Sequence, residues 1–169
     1  TRDCGWSVVL HPQRECIRDA GRTTWGAGNQ TKGGSITDMK ITHVNPDTLY
    51  RSPVFSQGVL VEGGKTLYIG GQNGFLPDGS LVGEDFASQT EQACRNILEI
   101  LKVVGATQEN VVKQTIFVVK GQDIREGFAA AQRVWGNFPT AITVVIVESL
   151  GMPGAGVLVE IDSIAVIDD

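Results

Sequence analysis

Few side chains in this sequence have the type and spacing that catalysis needs, and Glu160 is the clearest candidate. It stands between Val159 and Ile161 in an otherwise apolar run. Burying an ionised carboxylate without a partner is costly, so Glu160 either faces water or belongs to a site. By the two-residue period of a strand, Leu158, Glu160 and Asp162 share one face, and that pattern alone favours an exposed acidic edge.

Histidine and cysteine offer little for the usual catalytic or metal-binding clusters. A multi-histidine metal site would need both His43 and the distant His11, and His43 is the only histidine in residues 39–169 that a Ser-His-Asp triad there could use. A lone histidine is usually structural or exposed. Cys4, Cys16 and Cys94 are too few and too scattered for a disulfide framework or a C-x-x-C metal site. We therefore expect reduced thiols, no metal and a packing role for Cys94.

The stretch "GGQNG", Gly70 to Gly74, is the glycine-rich segment most able to meet a ligand. It follows a predicted strand without opening a helix, so it fits neither a dinucleotide-binding fingerprint nor a P-loop. Its glycines allow the backbone to approach a neighbouring group, and exposed N–H groups there can hold a carboxylate or carbonyl oxygen. A simple turn is the alternative.

Composition and charge limit the classes of function. The 169 residues are 41% hydrophobic and 20% charged, which suits one globular domain. A net charge of -5 argues against a nucleic-acid partner, which needs a basic surface. The chain has no apolar run of about 20 residues and no signal-peptide pattern at its start. We therefore expect a cytoplasmic protein without a membrane partner.

The chain is predicted to divide at Met39. Residues 1–38 show no sustained helical or strand period and end in "GAGNQTKGGSITD", which is typical of a linker. Residues 39–169 are patterned throughout. We interpret residues 1–38 as an N-terminal extension or linker and residues 39–169 as the functional domain.

The patterned domain predicts an α+β fold in the order βββ-α-β-α-ββ, with both helices on one face of the sheet. "EGG" between the second and third strands is a hairpin signal. The predicted strands cover about Lys40 to Val44, Val54 to Val61, Lys65 to Gly71, Asn110 to Val119, Ala141 to Val147 and Val157 to Ile167.

The two helices are predicted from caps and from apolar spacing. Ser88 and Glu91 have the S-x-x-E form of a capping box, and Gly105 closes the helix that follows. Asp123 caps the second helix, which Pro139 terminates. Arginines at the helical positions Arg95, Arg125 and Arg133 are interpreted as solvated charges.

The strand "AITVVIV" lacks a clear polar alternation, which predicts burial on both of its faces. Two helices on one side can cover only one of them. We therefore expect a second copy of the chain to cover the other, in a closed homo-oligomer.

Six segments in this order resemble landmarks of the Rid, or YjgF-type, family of reactive intermediate deaminases. They are "FSQG", "IGGQ", "TEQACRNILEIL" leading to Gly105, "VVKQTIFV", Pro139 and "PGAGVLVEIDSIAV". The resemblance covers Met39 to Ile167 and implies a chorismate-mutase-like fold, a homotrimer and a ligand site in each cleft between subunits. It further implies hydrolysis of imines and enamines, such as 2-aminoacrylate, without a cofactor.

The resemblance also implies roles for single positions. Glu160 matches a glutamate that helps to place the attacking water, and Gly71 matches a glycine whose amide assists carboxylate binding. The family's carboxylate-binding arginine falls at Ala141, which cannot make a bidentate, charge-assisted contact. Arg51 is a possible substitute. Three further ligand-binding positions also differ, with Thr143 for a cysteine, Gln132 for an asparagine and Phe55 for a tyrosine.

Two functions of different classes remain open from the sequence. The first is a cofactor-free hydrolase or deaminase of imines and enamines, in which Glu160 orients water. The second is a trimer that binds a small metabolite in the cleft without chemistry. A ribonuclease or translation inhibitor is least favoured because the chain is acidic.

Overall fold

A computed structural model describes residues 39–50, 52–151 and 154–168. All of them fall within one compact unit, Ser35–Asp169. The predicted extension, residues 1–38, lies outside the described residues, so the boundary at Met39 stays a prediction.

The described residues form the predicted α+β fold. In chain order the elements are β1 (Lys40–Val44), β2 (Gly58–Glu62), β3 (Lys65–Gln72), α1 (Phe86–Val103), a short 3-10 helix (Gln108–Asn110), β4 (Val111–Val119), α2 (Ile124–Trp135), β5 (Ala141–Val147) and β6 (Val159–Ile167). The order βββ-α-β-α-ββ is confirmed. The second strand was predicted four residues too early at its start, and the last one two residues too early.

The strands form a mixed sheet of four and a separate ribbon of two. The four-stranded sheet has the order β3-β6-β4-β5, with β4 and β5 parallel and β6 antiparallel to both β3 and β4. Strands β1 and β2 pair antiparallel as the ribbon. Strand β6 therefore lies inside the sheet, where its register fixes the direction of the Glu160 side chain.

The predicted hairpin between the second and third strands is wrong. Strand β2 pairs with β1 and β3 pairs with β6, so "EGG" carries the chain from the ribbon to the sheet. Gly63 and Gly64 both have positive φ, which a hairpin turn also requires, and the local signal is therefore the same. At Gly64 an added Cβ would lie 2.7 Å from Val166 Cγ1 and 2.8 Å from the Ile167 carbonyl oxygen, so this crossing needs glycine.

Both helices pack on one face of the four-stranded sheet, and the apolar core lies between the two layers. Ile97 and Leu101 of α1 are buried against Val159 and Ile161 of β6. Trp135 at the end of α2 joins the same cluster. The two-layer arrangement leaves the opposite face of the sheet without helices.

The N-cap of helix α1 lies three residues before the predicted one. Asp85 is the N-cap, and its side chain accepts a hydrogen bond from the Ser88 N–H at 2.8 Å. The predicted capping box at Ser88 is therefore wrong, because an aspartate upstream satisfies the free amide instead. At the other end Gly105 has a φ of 73° and follows the last turn, close to the predicted end.

Glu91, which was predicted to be part of the capping box, instead links the two helices through ion pairs. It accepts from Arg133 Nε of α2 at 2.8 Å and from Arg95 at 3.1 Å. Two of the three arginines interpreted as solvated charges are therefore exposed but ion-paired. The Arg133 hydrogen bond, followed by that of Arg95, lowers the pKa of the Glu91 carboxyl below its usual value of 4.5.

This linkage predicts a pH-dependent stability. Because the Glu91 pKa is lower in the folded chain, its stabilisation is present above the unfolded pKa and is lost as pH falls through the folded value. We expect Glu91→Gln to reduce the free energy of unfolding by about 1 kcal/mol at pH 7 and by less at pH 3. Urea unfolding of both proteins at the two pH values measures this; an equal difference at both would contradict it.

The prediction that β5 is buried on both faces is wrong for the single chain. Val144 and Ile146 are 46% and 55% exposed, and Thr143 on the other face is also exposed. The reason is topological, because β5 is an edge strand with β4 as its neighbour. Its apolar character therefore has no partner in one copy of the chain.

Candidate functional site

The candidate site lies on the sheet face that points away from the helices, called here the open face. Residues paired directly across a sheet project from the same side. Phe117 pairs with Glu160 and with Val145, and Thr115 pairs with Asp162 and with Thr143. These side chains alternate with core residues such as Ile161. The open face therefore carries polar groups among apolar ones.

Glu160 and Gly71 meet at the β3 side of the open face. Strands β3 and β6 pair regularly up to Ile69 and Ser163 and resume at Gln72 and Ile161. Gly70 and Gly71 thus stand opposite one residue, which is a β-bulge. An added Cβ at Gly71 would lie 2.5 Å from both Cδ and Oε1 of Glu160. The half-buried carboxyl group therefore rests directly against the glycine backbone.

This contact shows that Glu160 is not simply an exposed acidic residue on a strand edge. Its carboxyl group occupies a space that the glycine of the β-bulge leaves open. The close approach predicted for "GGQNG" is confirmed. At Gly74 an added Cβ would similarly lie 2.8 Å from Gln89 Cγ. Gly71 therefore makes room for Glu160 on the open face, and Gly74 makes room for Gln89 of α1.

A methyl group at position 71 should displace the Glu160 carboxyl group. Since a misplacement of about 1 Å can cost on the order of 100-fold in rate, we expect Gly71→Ala to lower any Glu160-dependent turnover about 10- to 100-fold. Gly70→Ala is the matched control, because an added Cβ there meets nothing within 4 Å. Steady-state rates of both variants, with far-UV circular dichroism, measure the effect. Equal rates would show that the Gly71 contact does not position Glu160.

Ala141 and Thr143 lie together at the other side of the open face, beside Lys113. Strand β5 pairs Ala141 with Lys113 of β4, and the Lys113 ammonium donates a hydrogen bond to the Thr143 hydroxyl. Sequence analysis missed Lys113. Alternation along β4 places it on the face of Phe117, but only the register with β5 shows which residues it accompanies.

The two groups of residues are far apart within one chain. Lys113 precedes Phe117, the partner of Glu160, by four residues, a distance of about 13 Å along the strand. Ala141 lies one strand further, about 4.8 Å to the side. A small ligand cannot touch both Glu160 and Ala141 in one copy.

Phe55 lies in a loop beside the start of β5, and Gln132 lies on helix α2, so neither belongs to the two groups described above. Phe55 precedes Ser56, whose N–H donates to the Thr140 carbonyl oxygen at 2.8 Å, so this loop is tied to the start of β5. Ser56 also holds His43 through a 2.9 Å hydrogen bond, which gives that histidine a structural role. Gln132 is exposed on α2, on the helix side of the sheet.

On that helix side, Gln132 lines an apolar cleft of about 80 Å³ between α2 and β5. Cys94 also lines it. Burial raises the pKa of the Cys94 thiol to about 12, so it stays protonated and its predicted packing role agrees with its position in the core. Gln132 does not reach the open face of its own chain. Arg51 lies outside the described residues.

Metal-binding clusters and membrane-spanning helices are both absent from the part of the chain that the structure describes. Among these residues, no three His, Cys, Asp or Glu side chains converge closely enough to hold a metal ion. None of the helices described is both long and apolar enough to cross a membrane.

Curated relatives are similar in sequence over much of this domain. The chain is 35% identical over 118 residues to the 2-iminobutanoate/2-iminopropanoate deaminase of Rattus norvegicus, covering 66% of this chain and 79% of that protein. It is 43% identical over 70 residues to the protein of the same name in Homo sapiens. That match covers 41% of this chain and half the length of the human relative.

Solved structures and a family model agree with the fold. The Rid-family protein YyfB of Yersinia pestis has a TM-score of 0.67 and 32% identity, covering 75% of this chain and 98% of that one. YyfA of the same organism has a TM-score of 0.51 and 34% identity over 67% of this chain and 87% of its own. The model described as "Endoribonuclease L-PSP" matches residues 48–167. The chain belongs to this family, the Rid or YjgF-type proteins, and has their chorismate-mutase-like fold.

Proposed function

We propose that this protein hydrolyses small 2-imino acids, or their enamine tautomers, to 2-oxo acids and ammonia. The observation that carries the proposal is the Glu160 carboxyl group seated against the Gly71 bulge on the open face, in a member of the Rid family. Two relatives are named 2-iminobutanoate/2-iminopropanoate deaminase, which suggests substrates of three or four carbons.

The reaction needs one water and one proton shuttle. Water adds to the carbon of the protonated imine while Glu160 accepts one proton of the water, which forms a neutral carbinolamine. Glu160 then returns that proton to the nitrogen, the C–N bond breaks and ammonia leaves. The carbonyl forms as the hydroxyl group gives its proton to Glu160. A positioned carboxylate of this kind contributes about 100- to 10,000-fold in rate. The Gly71 N–H is proposed to hold an oxygen of the substrate.

The proposed site is shared between copies of the chain. Glu160 and Gly71 stand about 13 Å along the strands from Lys113 and its neighbour Ala141, so one copy offers two separate parts. A neighbouring copy packed on the open face would bring one part of each together and would cover the apolar residues of that face. We propose a homotrimer, in which each of three equivalent clefts is completed by two copies. Phe55, Thr143 and Arg51 are proposed to line this cleft, and Gln132, which lies on the helix side of its own chain, is proposed to contribute from the neighbouring copy.

A coupled assay tests the reaction. An amino-acid-deaminating enzyme generates 2-iminobutanoate, and the appearance of 2-oxobutanoate is followed with and without this protein. We expect faster 2-oxobutanoate release with the wild-type chain and the uncatalysed rate with Glu160→Gln. A wild-type rate equal to the uncatalysed one would overturn the proposed reaction.

The alternative function is a trimer that binds a small metabolite without chemistry. Its basis is Ala141, which supplies no charge at the position where the family has an arginine. Binding of 2-oxobutanoate that survives Glu160→Gln, in a protein without turnover, would favour this alternative. A gel shift with RNA tests the least favoured nucleic-acid function. The cytoplasmic location and the absence of a cofactor stay predictions from the sequence.

A further inference from the structure

We propose that Lys113, with Thr143, binds the carboxylate group of the substrate. This inference rests on the proposed function, and it assigns to β4 the charge that Ala141 lacks. The carboxylate-binding part of the cleft is then built from a lysine and a hydroxyl group on adjacent strands.

The charge of Lys113 is available for a ligand. It is the one basic residue in strands β4, β5 and β6. The Thr143 hydroxyl accepts one of its N–H groups, and within the described part of the chain no carboxylate forms an ion pair with it. An ammonium group has three donors, so two remain for another acceptor.

The neighbours of Lys113 on strand β5 are small or polar. Ala141 pairs directly with Lys113 and carries only a methyl side chain. Thr143 accepts from Lys113 and keeps its own O–H as a donor. A carboxylate placed here would receive charge-assisted hydrogen bonds from Lys113 and one from Thr143.

Alternatively, the lysine could pair with a carboxylate of the neighbouring copy. The open face carries Glu160 and Asp162, and a second copy would present the same groups. The two possibilities predict different results, because an intersubunit ion pair would affect assembly and a ligand contact would affect carboxylate binding.

Titration calorimetry with 2-oxobutanoate and its methyl ester tests the inference without requiring turnover. We expect the wild-type chain to bind the acid more tightly than the ester, and Lys113→Gln to weaken acid binding about 10- to 100-fold while ester binding stays the same. Lys113→Arg should retain most of the affinity. Ala141→Arg in the Lys113→Gln background should restore it, because residue 141 lies directly beside the lost charge.

Lys120→Gln is the matched control, since Lys120 follows the same strand and pairs with Glu148 at 3.0 Å. Equal affinity for 2-oxobutanoate in the wild type and in Lys113→Gln would overturn the inference. It would also be overturned if Lys113→Gln lost the oligomer but kept the same affinity per folded chain. A wild-type chain that binds the acid no more tightly than the methyl ester would overturn it as well. Acid binding through Lys113 without imine hydrolysis would remove the proposed reaction and keep this contact.

Discussion

Glu160→Gln is expected to reduce the rate of 2-iminobutanoate hydrolysis by about 100-fold or more while the fold is kept. Glutamine has nearly the same shape as glutamate, so it can occupy the space against Gly71. It cannot accept a proton from water. The loss should appear in kcat, because Glu160 acts on the attacking water and does not itself hold the substrate carboxylate.

Asp162→Asn provides the control for this prediction. Asp162 lies two residues along β6 on the same face, pairs with Thr115 and is likewise half-buried. The Asp162→Asn substitution removes one charge from the same surface and leaves the contact between Gly71 and Glu160 intact. We expect it to keep most of the activity. An equal loss in both variants would indicate that the overall charge of the face matters and that Glu160 has no special part.

The largest loss of stability is expected at Gln89. This side chain is fully buried in α1, and its Nε2 donates to the carbonyl oxygens of Gly83 and Gly156 at 2.9 Å each. Its Oε1 accepts from the Leu158 N–H at 2.8 Å. One amide thus joins α1 to the loop before it and to the segment that leads into β6.

Gln89→Leu would leave these three backbone groups without that partner. We expect a loss of about 3 kcal/mol in the free energy of unfolding, because unsatisfied buried polar groups cost about 1 to 3 kcal/mol each and local rearrangement recovers part of it. Urea denaturation measures this value. Activity should fall as well, since Leu158 lies two residues before Glu160.

Gln92→Leu is the matched control on the same helix. Gln92 is only partly buried and donates at 2.8 Å to Asn96 within α1. We expect a change below about 1 kcal/mol. Similar losses in the two variants would mean that the Gln89 bonds to the loops add little to stability.

The sequence predicts individual elements of this fold well, because caps and apolar periodicity are local. Asp123 caps α2, and β5 has the predicted bounds of Ala141–Val147. Pairing is not local. The same "EGG" suits a hairpin and a crossing between sheets, and only Val166 and Ile167, more than 100 residues later, show which one is formed.

The candidate site was predicted in part for the same reason. Glu160 drew attention as a carboxylate in an apolar strand, and Gly71 as part of a glycine-rich segment, but their contact depends on a bulge between β3 and β6. Lys113 was missed because its importance arises from the register with Ala141. The family resemblance identifies which residues occupy the site positions. The distances between those residues follow only from the pairing of the strands.

Complementation between two defective chains tests most directly the central claim, that hydrolysis occurs in a site shared by two copies. Glu160→Gln and Lys113→Gln chains, each with its own tag, are co-expressed, and oligomers that contain both are purified. In a ring of three such copies, one interface combines an intact Glu160 with an intact Lys113, so we predict about one third of the wild-type activity at low substrate concentration. Activity no higher than that of the separate variants would contradict a shared site.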